Sequence, residues 1–130
     1  MRLVSFHDDV AASNPPGIQE LPASELEQPD EHDRVRVRRL LRNRKRYRYV
    51  HPKVRTVSGG LRIESPCCSR NLDRSGGVVD IAFLQHLRAG AWRLYRMDHA
   101  AALWRLHGDY EQLTDLMHVL NEDPERLFWQ

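Results

Sequence analysis

The sequence predicts an α+β fold: a single antiparallel sheet of about five strands, arranged as a meander, is covered by a C-terminal helix and preceded by a disordered N-terminal tail. Between residues 46 and 107, short segments alternate apolar and polar residues with the period of two that strands require. One amphipathic segment near the C-terminus has helical periodicity. The first 33 residues combine four prolines with eight acidic residues, a composition typical of disorder.

Size and composition indicate one globular domain without a membrane span. The chain has 130 residues, of which 41% are apolar, including three Trp, four Tyr and three Phe, and this is enough for a hydrophobic core. It contains no apolar run of about 18 residues, and the opening MRLVSFHDDV becomes acidic before the apolar region of a signal peptide would form. We therefore expect neither membrane insertion nor export, and a cytoplasmic location of the bacterial type.

The net charge of +2 conceals a strong polarisation along the chain. Residues 1–33 carry one Arg and eight acidic residues, a net charge of −7. Residues 34–55 carry nine Arg, two Lys and no acidic residue, a net charge of +11. Residues 56–130 carry eight Arg and ten acidic residues, a net charge of −2. Such asymmetry is informative about binding partners rather than about the fold.

These differences predict two parts of the chain. Residues 1–33 form a disordered acidic tail, because they contain too little apolar area to offset the entropy cost of ordering. Residues 34–130 form the α+β domain, which opens with the basic segment at residues 34–55. Within the tail, a fragment such as residues 18–26 could still fold on a partner, but the sequence names no such partner.

A short helix is predicted at the start of the basic segment. Asp33 is a suitable N-cap for a helix that ends at about Arg44. One side of this helix would carry Val37, Leu40, Leu41 and Arg44.

A strand and a hairpin follow this helix. Residues 46–51 alternate basic and aromatic side chains, and Pro52 lacks an amide donor, so the strand is expected at the edge of the sheet. In the hairpin, VRTV and LRIES are joined by a Gly-Gly turn. The second strand of the hairpin places Leu61 and Ile63 on one face and Arg62 and Glu64 on the other.

Three more strands complete the predicted sheet. The loop SPCCSRNLDRSGG leads into VVDIAFLQHL, and the turns RAG and DHA separate AWRLYRM from its two neighbours. Strands joined by links this short pair antiparallel. The side chains predicted to share a face are Val79, Ile81, Phe83 and Leu87 in the first of these strands, and Ala102, Trp104 and Leu106 in the last.

The amphipathic C-terminal helix is expected to cover the sheet. Asp109 and Gln112 form a capping-box pattern at its start. Its apolar side chains are Leu113, Leu116, Met117 and Leu120, and Asn121 and Pro124 end it. Asp123-Pro124 begins one further turn, which returns Leu127, Phe128 and Trp129 to the core.

The C-terminal part of the chain carries a pattern formed by Trp92-Arg93-Leu94-Tyr95, Asp98, Trp104, Asp123-Pro124 and Phe128-Trp129. With these residues, the chain from about Arg46 onward resembles a family of small uncharacterised bacterial proteins that carry a domain of unknown function. The resemblance implies an antiparallel sheet with a C-terminal helix, and it implies no reaction. The SPCCSRN loop and the acidic tail depart from the pattern of that family.

A zinc site is the first chemistry to consider, because Cys67 and Cys68 lie next to each other. Two of four histidines would complete a Cys2His2 set: His51, His86, His99 and His107. Structural zinc sites, however, separate paired cysteines by about two to four residues, whereas neighbours on an extended strand point to opposite faces. We therefore predict no metal and no cofactor, with one thiol packed as a small apolar group.

A thiol enzyme is the second chemistry. Cys68 to Arg74 spells C-x5-R, the skeleton of the phosphate-binding loop in cysteine phosphatases. Such loops need glycines that turn backbone amides toward the phosphate, and they precede a helix. Here the interior of the loop is Ser-Arg-Asn-Leu-Asp and a strand follows, so we predict no catalytic residue.

Nucleic acid is the partner that the basic segment favours. Guanidinium groups pair with phosphate through two hydrogen bonds and also stack on bases. The tyrosines that alternate with these arginines offer rings on which bases stack. The predicted nucleic-acid-binding residues are Arg36, Arg38, Arg39, Arg42, Arg44, Lys45, Arg46, Tyr47, Arg48 and Tyr49.

The predicted function is therefore that of a non-enzymatic accessory or regulatory protein that binds DNA or RNA. One alternative is an interaction adaptor whose basic arm docks on an acidic protein. Another is a metal or thiol site at Cys67 and Cys68. Two arrangements would leave the arginines without such a role: the tyrosines facing the core, or the acidic tail neutralising the basic segment.

Overall fold

In the computed structural model, which describes residues 16–45, 51–66 and 78–128, the strands follow one another across the sheet in chain order. Within these residues, the strands are β1 (Lys53–Val57), β2 (Gly60–Pro66), β3 (Val78–His86), β4 (Trp92–Asp98) and β5 (Leu103–Tyr110). The α-helices are α1 (Glu31–Leu40) and α2 (Leu113–Glu122), and a 3-10 turn at Leu41–Asn43 continues α1. All four pairings are antiparallel, so the predicted α+β meander of five strands is confirmed.

The hairpin of β1 and β2 has the predicted form. Val57 pairs with Gly60 across a turn in which Gly59 adopts a φ of 77°, a conformation that glycine allows without strain. In β2, Leu61 and Ile63 are fully buried in the main core, and Arg62 lies on the opposite face. β1 is an edge strand of the sheet. The edge strand predicted at residues 46–51 lies almost entirely outside the described residues, so that expectation stays a prediction.

The alternation predicted for β3 is wrong beyond Ile81. Ile63 of β2 pairs with Ala82, but the next residue, Glu64, pairs with Asp80, so Ile81 is an additional residue in a β-bulge. A bulge moves the alternation by one residue. Ile81 and Ala82 therefore belong to the same core cluster, whereas Phe83, which was predicted on the face of Ile81, lies in a second cluster.

The sheet consequently has an apolar cluster on each face. One face, the helix face, is covered by α1, α2 and Phe128, and its cluster includes Leu94 of β4. The opposite face carries a smaller cluster formed by Val57, Phe83, Tyr95, Met97 and Trp104. Because Leu94 and Tyr95 are neighbours in an extended strand, the two clusters lie on opposite faces.

The second face is covered by the N-terminal segment. Residues 16–22, here called the strap, cross it, and Ile18 packs against its cluster. Beyond the strap, Leu26 forms an isolated antiparallel bridge with Leu87, and the amide of Glu27 donates to the carbonyl of His86.

These contacts hold parts of residues 16–33 against the sheet, an arrangement that the predicted tail at residues 1–33 did not include. That prediction was based on the composition of the segment alone, and the apolar partner of Ile18 is supplied by distant strands. Residues 1–15 lie outside the described residues.

The start of α2 also differs from the sequence prediction. Asp109 belongs to β5 rather than to a cap, and it accepts hydrogen bonds from Nε and Nη2 of Arg93 at 2.7 and 3.1 Å. The hydrogen bond from Arg93 lowers the pKa of Asp109. The N-cap is Gln112, whose side chain makes no capping hydrogen bond. The buried face of α2 is as predicted: Leu113, Leu116, Met117 and Leu120.

The turn after α2 returns the chain to the core, as predicted. Asp123 ends the helix in a left-handed conformation, and its carboxylate accepts hydrogen bonds from the amides of Leu127 and Phe128. Phe128 is buried and its ring lies edge-on to that of His107, with centroids 5.1 Å apart. Trp129 lies outside the described residues. Among the helices of the described residues, none has the length and apolar character needed to span a membrane.

A row of ion pairs crosses the strands of the hairpin and β3. Arg62 pairs with Asp80 through Nε and Nη2 at 2.7 and 2.8 Å, and its Nε lies 3.5 Å from Glu64. Glu64 also accepts a hydrogen bond from Arg55 at 2.8 Å. The side chain of Arg62 is only 7% exposed, so its charge depends on these carboxylates for compensation.

We expect Asp80→Asn to lower the free energy of unfolding by about 2 kcal/mol, because the buried Arg62 loses a charged acceptor. Urea denaturation measures the change. Asp98→Asn is the matched control, since Asp98 pairs with Arg105, whose side chain is 48% exposed. Water screens that pair, so its loss should be clearly smaller. Equal effects of the two substitutions would contradict the structural role assigned to the buried pair.

Candidate nucleic-acid interface

The helix α1, which carries most of the predicted binding residues, begins with a reciprocal cap. The carboxylate of Asp30 accepts a hydrogen bond from the amide of Asp33 at 2.8 Å, and the carboxylate of Asp33 accepts one from the amide of Asp30 at 3.0 Å. The predicted N-cap, Asp33, is therefore the third residue of the helix, and Asp30 is the cap. The hydrogen bond from the amide of Asp33 lowers the pKa of Asp30.

The first turn of α1 is attached to the edge of the sheet by Arg34. This side chain pairs with Glu31 through Nε and Nη2, and its Nη1 donates to the carbonyl of Val54 in β1 at 3.4 Å. The pairing lowers the pKa of Glu31. Arg34 thus has a structural role in the basic segment, and the sequence signal for it is the spacing of three residues from Glu31.

Two buried side chains determine which way α1 faces. Val37 is 0% exposed and Leu41 is 1% exposed, and both belong to the cluster of the helix face. Their spacing of four residues directs one side of the helix toward the sheet. The other side of α1 and of the 3-10 turn that continues it (Leu41–Asn43) carries four exposed arginines, here called the arginine face: Arg36, Arg38 and Arg39 in the helix and Arg42 in the turn.

The arginine face is a continuous positive surface. Arg38 and Arg42 are four residues apart, and Arg39 follows Arg36 at a spacing of three, so their side chains are neighbours along the helix. With a rise of about 1.5 Å per residue, the face extends roughly 9 Å along the axis. Among the described residues, no acidic side chain forms an ion pair with any of these four arginines.

The structure separates Arg44 and Lys45 from the arginine face. Arg44 is 6% exposed, and its Nη1 donates to the carbonyl of Leu41 at 2.9 Å. Burial lowers the pKa of Arg44. The prediction of Arg44 as a phosphate contact does not agree with this position, because the side chain lies on the buried side of the chain. Lys45 is exposed and its Nζ lies 3.0 Å from Glu122 of α2.

Asn121 connects the ends of the two helices and was not predicted. Its Nδ2 donates to the carbonyl of Leu40 at 2.9 Å, and its own carbonyl accepts from the amide of Lys45 at 3.0 Å. The sequence indicated Asn121 only as a helix terminator. Its partners lie some 80 positions away in the chain, so no local signal identifies this contact.

The comparison with protein families gives one match. The family described as Domain of unknown function (DUF3024) matches residues 23–130 of the chain. The chain belongs to this family. The searches of curated proteins and of solved structures found no match. The resemblance to a domain of unknown function is therefore confirmed, and membership in the family brings no activity with it.

The DUF3024 domain contains every predicted binding residue, but the structure describes only part of them. Arg46, Tyr47, Arg48 and Tyr49 lie outside the described residues, so their predicted contacts stay predictions. Cys67 and Cys68 also lie outside them.

The histidines considered as zinc ligands have other neighbours in the DUF3024 domain. His86 is buried and stacks on Trp92, with ring centroids 3.9 Å apart. Nε2 of His99 lies 2.9 Å from the carbonyl of Asp80. In the described part of the chain, no group of three or more His, Cys, Asp or Glu side chains is placed to hold a metal ion.

The start of the arginine-bearing helix should respond to pH. The pKa of Asp30 is lowered below its ordinary value of 3.8 in the folded protein, so the cap stabilises α1 above that value and is lost as the pH falls through the lower, folded pKa. We expect the difference in urea midpoint between wild type and Asp30→Ala to be constant above about pH 5 and to shrink below the ordinary value.

The control for this prediction is Asp30→Asn. Asparagine retains a capping oxygen but does not titrate, so the comparison of wild type with Asp30→Asn isolates the charge of the cap. If the difference between wild type and Asp30→Ala is the same at pH 7 and pH 3, the negative charge of Asp30 does not contribute to the stability of the helix.

Proposed function

We propose that this protein binds nucleic acid through the arginine face of α1. The observation that carries the proposal is the presence of four exposed arginines on one side of a helix whose other side is fixed to the sheet by Val37 and Leu41. These arginines have no ion-pair partner among the described residues. Their charge is therefore available to a phosphate backbone.

The geometry of a helix suits phosphate binding. Successive phosphates of one strand of a duplex are about 3.4 Å apart along the axis, so a face roughly 9 Å long spans two or three of them. Each guanidinium group offers paired donors to a phosphate. Because the backbone of α1 is already helical, binding does not add the entropy cost of folding this segment.

Composition of the surface favours nucleic acid over an acidic protein. Protein interfaces generally contain a buried apolar or aromatic centre surrounded by polar residues. In the described part of the chain, the exposed large apolar side chains are Val78 and Leu106, and neither lies on α1. An adaptor that docks on an acidic partner remains the second candidate, and the experiment below distinguishes it.

Residues 46–49, which follow the helix in the sequence, are part of the proposed binding site. Arg46 and Arg48 continue the basic sequence and would add phosphate contacts, while Tyr47 and Tyr49 would stack on bases if the target is single-stranded. We further propose that the protein is a non-enzymatic accessory or regulatory factor of the bacterial cytoplasm.

A salt titration tests this function. Binding of labelled duplex DNA, single-stranded DNA and RNA is measured by fluorescence anisotropy at several salt concentrations. We expect the logarithm of affinity to fall linearly with the logarithm of salt. Arg39→Gln and Arg42→Gln should each weaken binding at low salt and reduce the slope by about one.

The matched control is Arg88→Gln, which removes the same charge from an exposed position in the turn between β3 and β4. This variant should retain the wild-type slope. Equal losses in all three variants would show that only net charge matters and would reject the arginine face as the site. No binding of any of the three nucleic acids at low salt would reject nucleic acid and leave the adaptor function.

A further inference from the structure

The strap lies on a surface that belongs to the DUF3024 domain, although the strap itself lies outside the match. The family match begins at Ala23, one residue after the strap ends. The cluster that the strap covers, with Phe83, Tyr95 and Trp104, lies within the match. In this chain, that apolar face is covered by residues that the family match does not include.

The strap is held mainly as an extended peptide is held, through its backbone. The amide of Trp104 in β5 donates to the carbonyl of Pro16 at 2.8 Å. The amide of Gln19 donates to the hydroxyl of Tyr95 at 3.1 Å, and Nε2 of Gln85 donates to the carbonyl of Gln19 at 3.0 Å. Hydrogen bonds of this kind do not depend on the side chain of the peptide.

Three positions of the strap supply specificity. A side chain at Gly17 would place its Cβ 2.1 Å from the carbonyl oxygen of Trp104, so only glycine fits. Ile18 is half-buried against the cluster. The side-chain oxygen of Gln19 accepts from Nη1 of Arg93 at 3.0 Å. The surface therefore selects a glycine, an aliphatic residue and a hydrogen-bond acceptor at three successive positions of the bound segment.

The strap shields large aromatic side chains from water, but few of its own side chains are buried, so it is held weakly. Beneath it, Tyr95 and Trp104 are each 1% exposed. Pro16, Gly17 and Gln19 are exposed, and Ile18 provides the apolar contact with the cluster. In addition, Nε1 of the buried Trp104 has no hydrogen-bond partner among the described residues. A donor left unpaired beneath a bound segment makes that segment a weaker ligand than one that carries an acceptor for it.

We propose that this face is a peptide-binding groove and that the strap is its built-in, displaceable occupant. The partner is an extended peptide with the same succession, Gly-aliphatic-Gln, and with an additional acceptor for the indole of Trp104. Such a peptide replaces the strap by binding the same backbone groups. The strap has the advantage of being attached, which gives it an effective concentration in the millimolar range for short linkers, and it therefore competes with the partner.

The test releases the strap in the full-length protein and supplies it again as a separate molecule. Gly17→Ala introduces the clash with Trp104 at a φ of 113°. Gly90→Ala is the matched control, because Gly90 also has a positive φ, 86°, but a Cβ there meets no atom within 4 Å. The probe is a fluorescent peptide of residues 16–22, and a second probe carries Ile18→Asp.

We expect the first peptide to bind the Gly17→Ala protein at least about tenfold more tightly than wild type or Gly90→Ala, whose straps occupy the groove. The Ile18→Asp peptide should not bind. Equal binding to all three proteins, or no binding to a folded Gly17→Ala protein, would overturn the proposal. A native mass showing that wild type is a strap-exchanged dimer would also overturn it, because the occupant would then be a second copy.

If Gly17→Ala does not fold, hydrogen exchange of the wild-type protein tests the groove proposal instead. The amides of Gln19 and Trp104 are protected by strap contacts, and hydrogen exchange reports how often those contacts open. We expect these two amides to exchange about tenfold or more faster than the amides of the central strand β3. Exchange at the same rate as β3 would show that the strap opens only when the whole domain unfolds, and the groove proposal would fail.

Discussion

Apolar side chains lie on both faces of the central sheet, and each face must be kept from water. The β-bulge at Ile81 contributes directly to this two-sided arrangement. It keeps Ile81, Ala82 and Leu84 on the helix face, while Phe83 joins the opposite cluster. Two helices cover the first face. The N-terminal segment, which has the composition of a tail, covers the second.

The covering of the helix face also determines where the charge lies. Val37 and Leu41 bury one side of α1, and the arginines between them are directed outward by the helical period. Asp30 at its start and Asn121 at its end hold this helix in one position. A basic sequence becomes a defined positive surface because an apolar pair within it is buried.

The second face is covered by a different type of contact from that of the helix face. The helices bury side chains of their own along their length, whereas the strap buries little of itself and is held by hydrogen bonds to Tyr95, Gln85 and Trp104. The strap also lies outside the DUF3024 match, while the residues that hold it lie within. The arginine face and the groove therefore occupy different surfaces, and they are joined through residues 23–30.

Local sequence patterns were sufficient to predict much of the fold of this protein. Alternation in β2, helical spacing in α2 and the run of arginines around Arg39 are properties of neighbouring residues, so the order of the strands and the charge of α1 follow from the sequence by itself. The positions of individual side chains, in contrast, were decided by the tertiary structure. Arg44 and Arg39 look alike in the sequence, but only one of them lies against the core, and Asp109 becomes the partner of Arg93 rather than a cap. The strap lies on the sheet because Ile18 packs against a cluster of distant strands and the carbonyl of Pro16 accepts from the amide of Trp104, and contacts between residues so far apart in the chain leave no trace in a window of neighbouring residues.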